Sequence, residues 1–103
     1  MADDSFKDYV LDQLKGLDEV RAQAMFGAFG LYHGEVFFGI VADGRLYFKT
    51  DDESRAEYER WGMEPFHASE KQTLWTYFEV PLDVLEDDEA LTLWALRACQ
   101  CQS

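Results

Sequence analysis

Cations, cysteine, proline and histidine are all scarce in this chain. Nine Lys and Arg stand against twenty-one Asp and Glu in 103 residues, a formal net charge of −12. A phosphate backbone rewards clustered Lys and Arg, so the deficit argues against direct nucleic-acid binding, and against an anionic membrane surface for the same reason. The two cysteines, Cys99 and Cys101, both fall at the carboxyl end. On a helix, positions two apart point about 200° away from each other, which argues against a mutual disulfide, and at the extreme carboxyl end the pair cannot staple the fold. The two histidines, His33 and His67, have no cysteine or second histidine at metal spacing, and no metal or cofactor is expected. Long apolar runs are missing too. The longest, Val36 to Ala42, is far short of a membrane span, and the acidic start Met1-Ala2-Asp3-Asp4-Ser5 lacks the basic character of a secretory signal. The expectation is a cytoplasmic protein without membrane association.

Catalytic signatures are absent as well. Ser5, Ser54, Ser69 and Ser103 stand in cap, turn or tail contexts, with no Gly-x-Ser-x-Gly elbow. Gly27 and Gly30 precede a strand, and no Gly-Lys-Ser/Thr follows them, which excludes a phosphate-binding loop. Close packing of the strand entry over the first helix is the reading given to these glycines. No catalytic residue is expected, and the chain reads as a non-enzyme.

What the chain does have is apolar and aromatic mass, 48% and 16% of its residues. That suits one small domain, whose folding hides roughly 60–70% of the unfolded surface. Phe6, Tyr9, Val10, Leu14 and Leu17 recur at helical spacing and predict a helix over 3–17, capped by Asp3, Asp4 or Ser5 and ended by Gly16. A linking segment follows. Phe29–Tyr32, Glu35–Ala42 and Arg45–Thr50 read as strands separated by His33-Gly34 and Asp43-Gly44, the second a strong two-residue hairpin signal. A short helix over 53–61, stopped by Gly62, leads to strands Phe66–Ala68 and Thr73–Val80. Pro81 closes the last strand, and a final helix runs from Asp83 to about Gln100. The predicted order is α-β-β-β-α-β-β-α: a two-layer α+β domain, with an antiparallel five-stranded sheet and helices packed on one face. The clusters Asp3-Asp4, Asp51-Asp52-Glu53 and Glu86-Asp87-Asp88-Glu89 fall at or near helix starts, where carboxylates meet free amides and the positive end of the dipole. They lack the alternating ligands of a calcium loop.

Four segments in order resemble the TfoX/Sxy amino-terminal domain family. Met25-Phe26-Gly27-Ala28-Phe29-Gly30-Leu31-Tyr32 is similar to its Met-Phe-Gly-Gly-x-Gly-x-Tyr signature, with Ala28 in place of the second glycine. Asp43-Gly44-Arg45-Leu46-Tyr47-Phe48-Lys49-Thr50-Asp51 resembles its hairpin, and Gly62-Met63-Glu64-Pro65-Phe66 its Gly-x-x-Pro-Phe segment. Tyr77-Phe78-Glu79-Val80-Pro81 followed by Val84-Leu85-Glu86-Asp87 resembles its Tyr-x-x-x-Pro, Val-Leu-Glu-Asp stretch. The resemblance covers about residues 5 to 99. It implies a non-catalytic regulatory module, an accessory in transcriptional regulation related to the regulators of natural competence. Longer members carry a second, carboxyl-terminal domain resembling helix-hairpin-helix DNA-binding modules. The expectation for residues 1–103 is a single domain without it.

The strands hold more aromatics than one buried face requires. Strict alternation puts Leu74, Thr76, Phe78 and Val80 on one face of the last strand and Trp75, Tyr77 and Glu79 on the other. It likewise sets Val36, Phe38 and Ile40 against Phe37, Gly39 and Val41. The surplus set, Phe37, Val41, Tyr47, Trp75 and Tyr77, is the candidate interaction surface, with Phe37, Tyr47, Trp75 and Tyr77 at its centre. The occupant is a protein partner or a second copy of the chain. The alternative on this surface is a helix or loop wrapping round to cover it. Leu93 and Leu96 lie off the Leu91/Trp94/Ala98 stripe of the last helix and offer a second contact surface. A reading of another class is a small-ligand pocket between sheet and helices, lined by Met25, Phe26, Trp61 and Trp94.

Overall fold

A computed structural model describes residues 2–25 and 27–101, with side chains from residue 5 onward. The elements are α1 (Ala2–Gln13), β1 (Val20–Met25), β2 (Ala28–His33), β3 (Val36–Ala42), β4 (Arg45–Lys49), α2 (Asp52–Arg60), β5 (Pro65–Ser69), β6 (Gln72–Glu79), α3 (Leu82–Leu85) and α4 (Asp88–Gln100). The fold is α+β. Its sheet has six strands in the order β1-β2-β3-β4-β6-β5, every neighbouring pair antiparallel.

The sixth strand, β1, corrects the five-stranded expectation. Val-Arg-Ala-Gln-Ala-Met has few β-branched or aromatic residues, so its strand character comes from the ladder β2 offers, in register from Val20↔His33 to Met25↔Ala28. The glycine-rich signature is thereby a hairpin: Met25 faces Ala28, and Gly27 takes φ +79° in the link. Phe26 lies outside the described residues, as do the side chains of Asp3 and Asp4. The Asp43-Gly44 hairpin forms as read, both residues at positive φ (52° and 70°) between Ala42 and Arg45. The preceding turn sits one residue later than expected, at Gly34-Glu35, because His33 pairs with Val36.

Two irregularities set which side chains share a face. In β3, Leu31 pairs with Gly39 but Tyr32 pairs with Phe37, leaving Phe38 as the extra residue of a bulge. The phase flips there, against the strict alternation expected from the sequence. Phe38 and Val41 join the cluster beneath the helices, while Phe37, Ile40 and Ala42 belong to the opposite face. In β6, the register with β5 jumps from Pro65↔Phe78 to Phe66↔Leu74, and Leu74 ends on the same side as Tyr77.

α1 is shorter than the predicted 3–17, although Leu14 and Leu17 stay buried through the turn that follows it. α2 starts on a reciprocal cap: the Ser54 amide donates to the Asp51 carboxylate at 2.7 Å, and the Asp51 amide donates to the Ser54 hydroxyl at 3.0 Å. Gly62 at φ +78° follows its end. The expected final helix is two helices. Pro81 precedes α3, and extended Asp87 interrupts the chain to cap α4, accepting from the Ala90 amide at 3.2 Å. The order is therefore α-β-β-β-β-α-β-β-α-α.

Val10 from α1, Leu14 from the turn after it, Tyr58 from α2, Val84 and Leu85 from α3, and Leu91, Ala95 and Ala98 from α4 meet Leu31, Phe38, Val41, Leu46, Phe48 and Phe78 in one core. Among the described residues, no helix is long and apolar enough to cross a membrane.

Candidate interaction face

The second apolar cluster is made of strand residues alone. Ile40, Ala42, Tyr47 and Tyr77 are buried in it, and Ala28, Phe37, Phe66 and Leu74 pack against them. Each helix named above contributes to the first cluster and none to this one. Tyr47 and Tyr77 are nevertheless only 9% and 8% exposed. Neighbouring rings shield them: Tyr32 lies 5.2 Å from Phe37, Phe37 lies 5.6 Å from Tyr77, and Tyr47 lies 4.7 Å from Phe66. The ring pairs are tilted, at interplanar angles of 35°, 38° and 49°, within the separations that aromatic pairs favour.

Close approach on this face needs a glycine. A Cβ on Gly30 would stand 2.9 Å from Cε1 of Phe37 and 3.2 Å from Cε of Met25. Gly30 thus lets Phe37 and Met25 cross β2. It does so on the side away from α1, which corrects the expected packing over the first helix. Gly39 serves the other side, where a Cβ would meet the Tyr47 carbonyl at 3.0 Å and the Phe48 ring at 3.1 Å.

The rim of the cluster is cationic. The Arg21 guanidinium sits 4.5 Å over the Tyr32 ring, and the Lys49 ammonium 5.4 Å over the Tyr77 ring. Arg45 is tied to Glu79 at 3.0 Å beside Tyr47. Three of the nine cations of an acidic chain therefore border one face, two of them held over aromatic rings rather than against carboxylates. Burial pushes the Tyr77 phenol up to about 12, and the nearby Tyr32 adds to the shift. Burial, then the Glu79 carboxylate, raises Tyr47 as well. Both phenols are neutral at neutral pH, which suits rings that serve as apolar surface.

Of the four residues singled out from the sequence, the structure brings Phe37, Tyr47 and Tyr77 together. Trp75 stands apart, 67% exposed and outside the cluster, because the β6 irregularity gives its expected place to Leu74. Val41 is buried beneath the helices, and Ile40 replaces it. Tyr32, Phe66, Arg21 and Lys49 were not singled out for this face. Two of them carried a signal, since Tyr32 ends the glycine-rich motif and Phe66 ends the Gly-x-x-Pro-Phe segment.

Among the described residues, the expected lining of a sheet–helix pocket does not come together. Met25 lies against Gly30 on the cluster side, Trp94 stacks edge-on at 4.7 Å against Tyr58 on the helix side, and Trp61 is exposed. Trp94 instead lines a groove of about 340 Å³ between α2 and α4, with Glu53, Glu57 and Arg97. A second cleft, about 350 Å³, adjoins the aromatic cluster and is lined by Arg45, Tyr47, Met63, His67 and Glu79. The histidine there is engaged, its Nδ1 lying 2.8 Å from the Thr73 hydroxyl.

Residues 12–102 match the model of the TfoX N-terminal domain. The DNA transformation protein TfoX1 of Aliivibrio fischeri is 38% identical over 69 residues, which are 65% of this chain and 33% of that protein. The chain thus spans about a third of the length of the curated relative it matches. The matched range takes in β1 to α4, including Met25, Gly30, Tyr32 and Phe66, which converge on the helix-free face. The chain belongs to the TfoX N-terminal domain family.

Proposed function

We propose that this domain is a non-catalytic, competence-related regulatory module, an accessory in transcriptional regulation, which docks a protein partner through the helix-free face of its sheet. The observation that carries the reading is the aromatic cluster around Phe37, Tyr47 and Tyr77, bordered by Arg21 and Lys49 in a chain of net charge −12. Charge complementarity specifies the occupant: a protein segment presenting carboxylates beside an apolar side chain. The family membership and the likeness to a DNA transformation protein support the regulatory context. Nucleic acid is the poorer fit, because nine cations against twenty-one acids in the whole chain give a phosphate backbone little to hold.

Lys49→Glu tests the reading, because it reverses charge at the rim without entering the core. Affinity capture from cells should recover partners with the unaltered chain and lose them with this variant. Capture by the unaltered chain should also weaken as salt rises. Identical partners from both proteins at all salt concentrations would rule the face out.

A small-ligand role has one specific observation in its favour, the cleft beside Tyr47 where Arg45 and His67 meet apolar Met63. A ligand held there raises the melting temperature of the chain. A metabolite screen giving no shift removes this second reading.

A further inference from the structure

The two edges of the sheet are built differently. β5 opens on Pro65, which has no N–H to donate, and its register with β6 breaks between Pro65 and Phe66 and again between His67 and Ser69. Such interruptions blunt an edge against pairing with another chain. β1 has neither device: it has no proline, and its register is unbroken from Val20 to Met25.

The direction of its free backbone groups follows from one hydrogen bond. The Gly34 amide donates to the Glu19 carbonyl at 3.0 Å, so Glu19 faces β2. The alternation of an antiparallel ladder then turns Arg21, Gln23 and Met25 toward β2 as well. The N–H and C=O groups of Val20, Ala22 and Ala24 point outward, and among the described residues no strand pairs with them.

We propose that β1 pairs antiparallel with β1 of a second copy of this chain, about a two-fold axis through Ala22. In this register Val20 of one copy stands opposite Ala24 of the other, and Ala22 opposite Ala22, so every outward group of the three residues meets its counterpart. The register also satisfies the side chains. Arg21 faces Gln23 across the junction, the same donor and acceptor that meet at 3.3 Å within one strand, so no like charges are opposed, and both are exposed. Centring on Arg21 instead would oppose two guanidinium groups and leave Ala24 unpaired. Centring on Gln23 would leave Val20 unpaired. Ala22 and Ala24 are small, and Ala24 is exposed, so the approaching backbone meets no bulky side chain on that side. The pairing joins two sheets edge to edge and sets two aromatic faces side by side. Arg21 borders both surfaces, but the docking reading is tested at Lys49, three strands away from β1, so the two can fail separately.

Sedimentation velocity of the unaltered chain over a wide range of concentrations should show a monomer–dimer equilibrium. Association should tighten several-fold as salt screens the repulsion between two copies of net charge −12. Ala22→Pro removes the central outward N–H at a position where an edge strand tolerates proline, and should give a monomer with an unchanged far-ultraviolet spectrum. Register is read independently by oxidation. Ala22→Cys should cross-link two copies above the background that Cys99 and Cys101 give in the unaltered chain, and Gln23→Cys should not. A monomer at every concentration overturns the proposal and leaves the edge to a strand of another protein. A dimer that survives Ala22→Pro, or a cross-link through residue 23 in place of residue 22, overturns it as well.

Discussion

The ring of Phe37 lies 5.6 Å from that of Tyr77, although β4 separates their strands. The bulge at Phe38 makes this meeting possible. Counted back from Ile40, strict alternation would put Phe38 on the helix-free face and bury Phe37 beneath the helices. One extra residue exchanges them, and Phe37 becomes the bridge between Tyr32 on β2 and Tyr77 on β6. The face that belongs to no helix is held together by this ring.

Phe37→Ala should therefore uncover Tyr77. The ring is half-buried, so the loss of stability should be about 2 kcal/mol, below the range for truncating a fully buried aromatic. The phenol gives a more specific readout. Burial holds its pKa near 12, above the ordinary value near 10, so this part of the stability is present below pH 10 and lost as pH rises through 12. In Phe37→Ala the Tyr77 titration, isolated by difference from Tyr77→Phe, should move back toward 10. A titration unmoved by the substitution would show that Phe37 does not shield Tyr77.

The two crowded glycines should respond unequally to alanine. At Gly39 the new methyl meets the Tyr47 carbonyl at 3.0 Å, a backbone group held in the ladder, and the Phe48 ring beside it. At Gly30 it meets the Phe37 ring and the end of Met25, side-chain atoms and not backbone. Gly39→Ala should cost about 1–3 kcal/mol, the range for overpacking, and Gly30→Ala less. Denaturant titration orders the two. Gly30→Ala should in addition weaken any binding through the aromatic face, because it displaces Phe37.

The parts of this fold legible in the sequence are those set by local chemistry. Asp43-Gly44 announces its hairpin because both residues accept positive φ, and Asp51 announces the start of α2 because a carboxylate there answers free amides. β1 was hidden because Arg21, Ala22, Gln23 and Ala24 have little preference for a strand until β2 supplies a ladder. The bulge at Phe38 was hidden for a different reason. Val36 to Ala42 is apolar throughout, so no polar residue marks where the phase flips. That single ambiguity misplaced Val41, and the irregularity in β6 misplaced Trp75. The α3–α4 break was foreshadowed by the acidic run at Glu86–Glu89, but apolar spacing carried the helix across it.

Along α4, neighbouring leucines should behave oppositely. Leu91 is fully buried against the sheet, whereas Leu93 is 67% exposed beside the groove lined by Trp94. Leu91→Ala should cost about 2–5 kcal/mol, and Leu93→Ser should stay within about 0.5 kcal/mol of the unaltered chain. Thermal unfolding measures both. A large loss at Leu93 would mean that its side chain is covered in solution by another molecule or by the remainder of the chain.

The α2 cap makes stability depend on acid. The Ser54 amide donates to the Asp51 carboxylate, the Ser54 hydroxyl and the Cys101 thiol add to it, and Arg97 stands 3.4 Å away. Together they hold the carboxyl at about 2, below the ordinary 3.8. A depressed carboxyl stabilises the fold above its unfolded pKa, and that contribution fades as pH falls through the folded value. Asp51→Asn keeps an acceptor for the Ser54 amide but cannot ionise. The unaltered chain should therefore be the more stable of the two by a constant margin above about pH 4, and the margin should shrink steadily toward pH 2. Urea unfolding of both proteins across this range reads the margin directly, and a margin independent of pH would mean that the Asp51 charge contributes nothing to the cap.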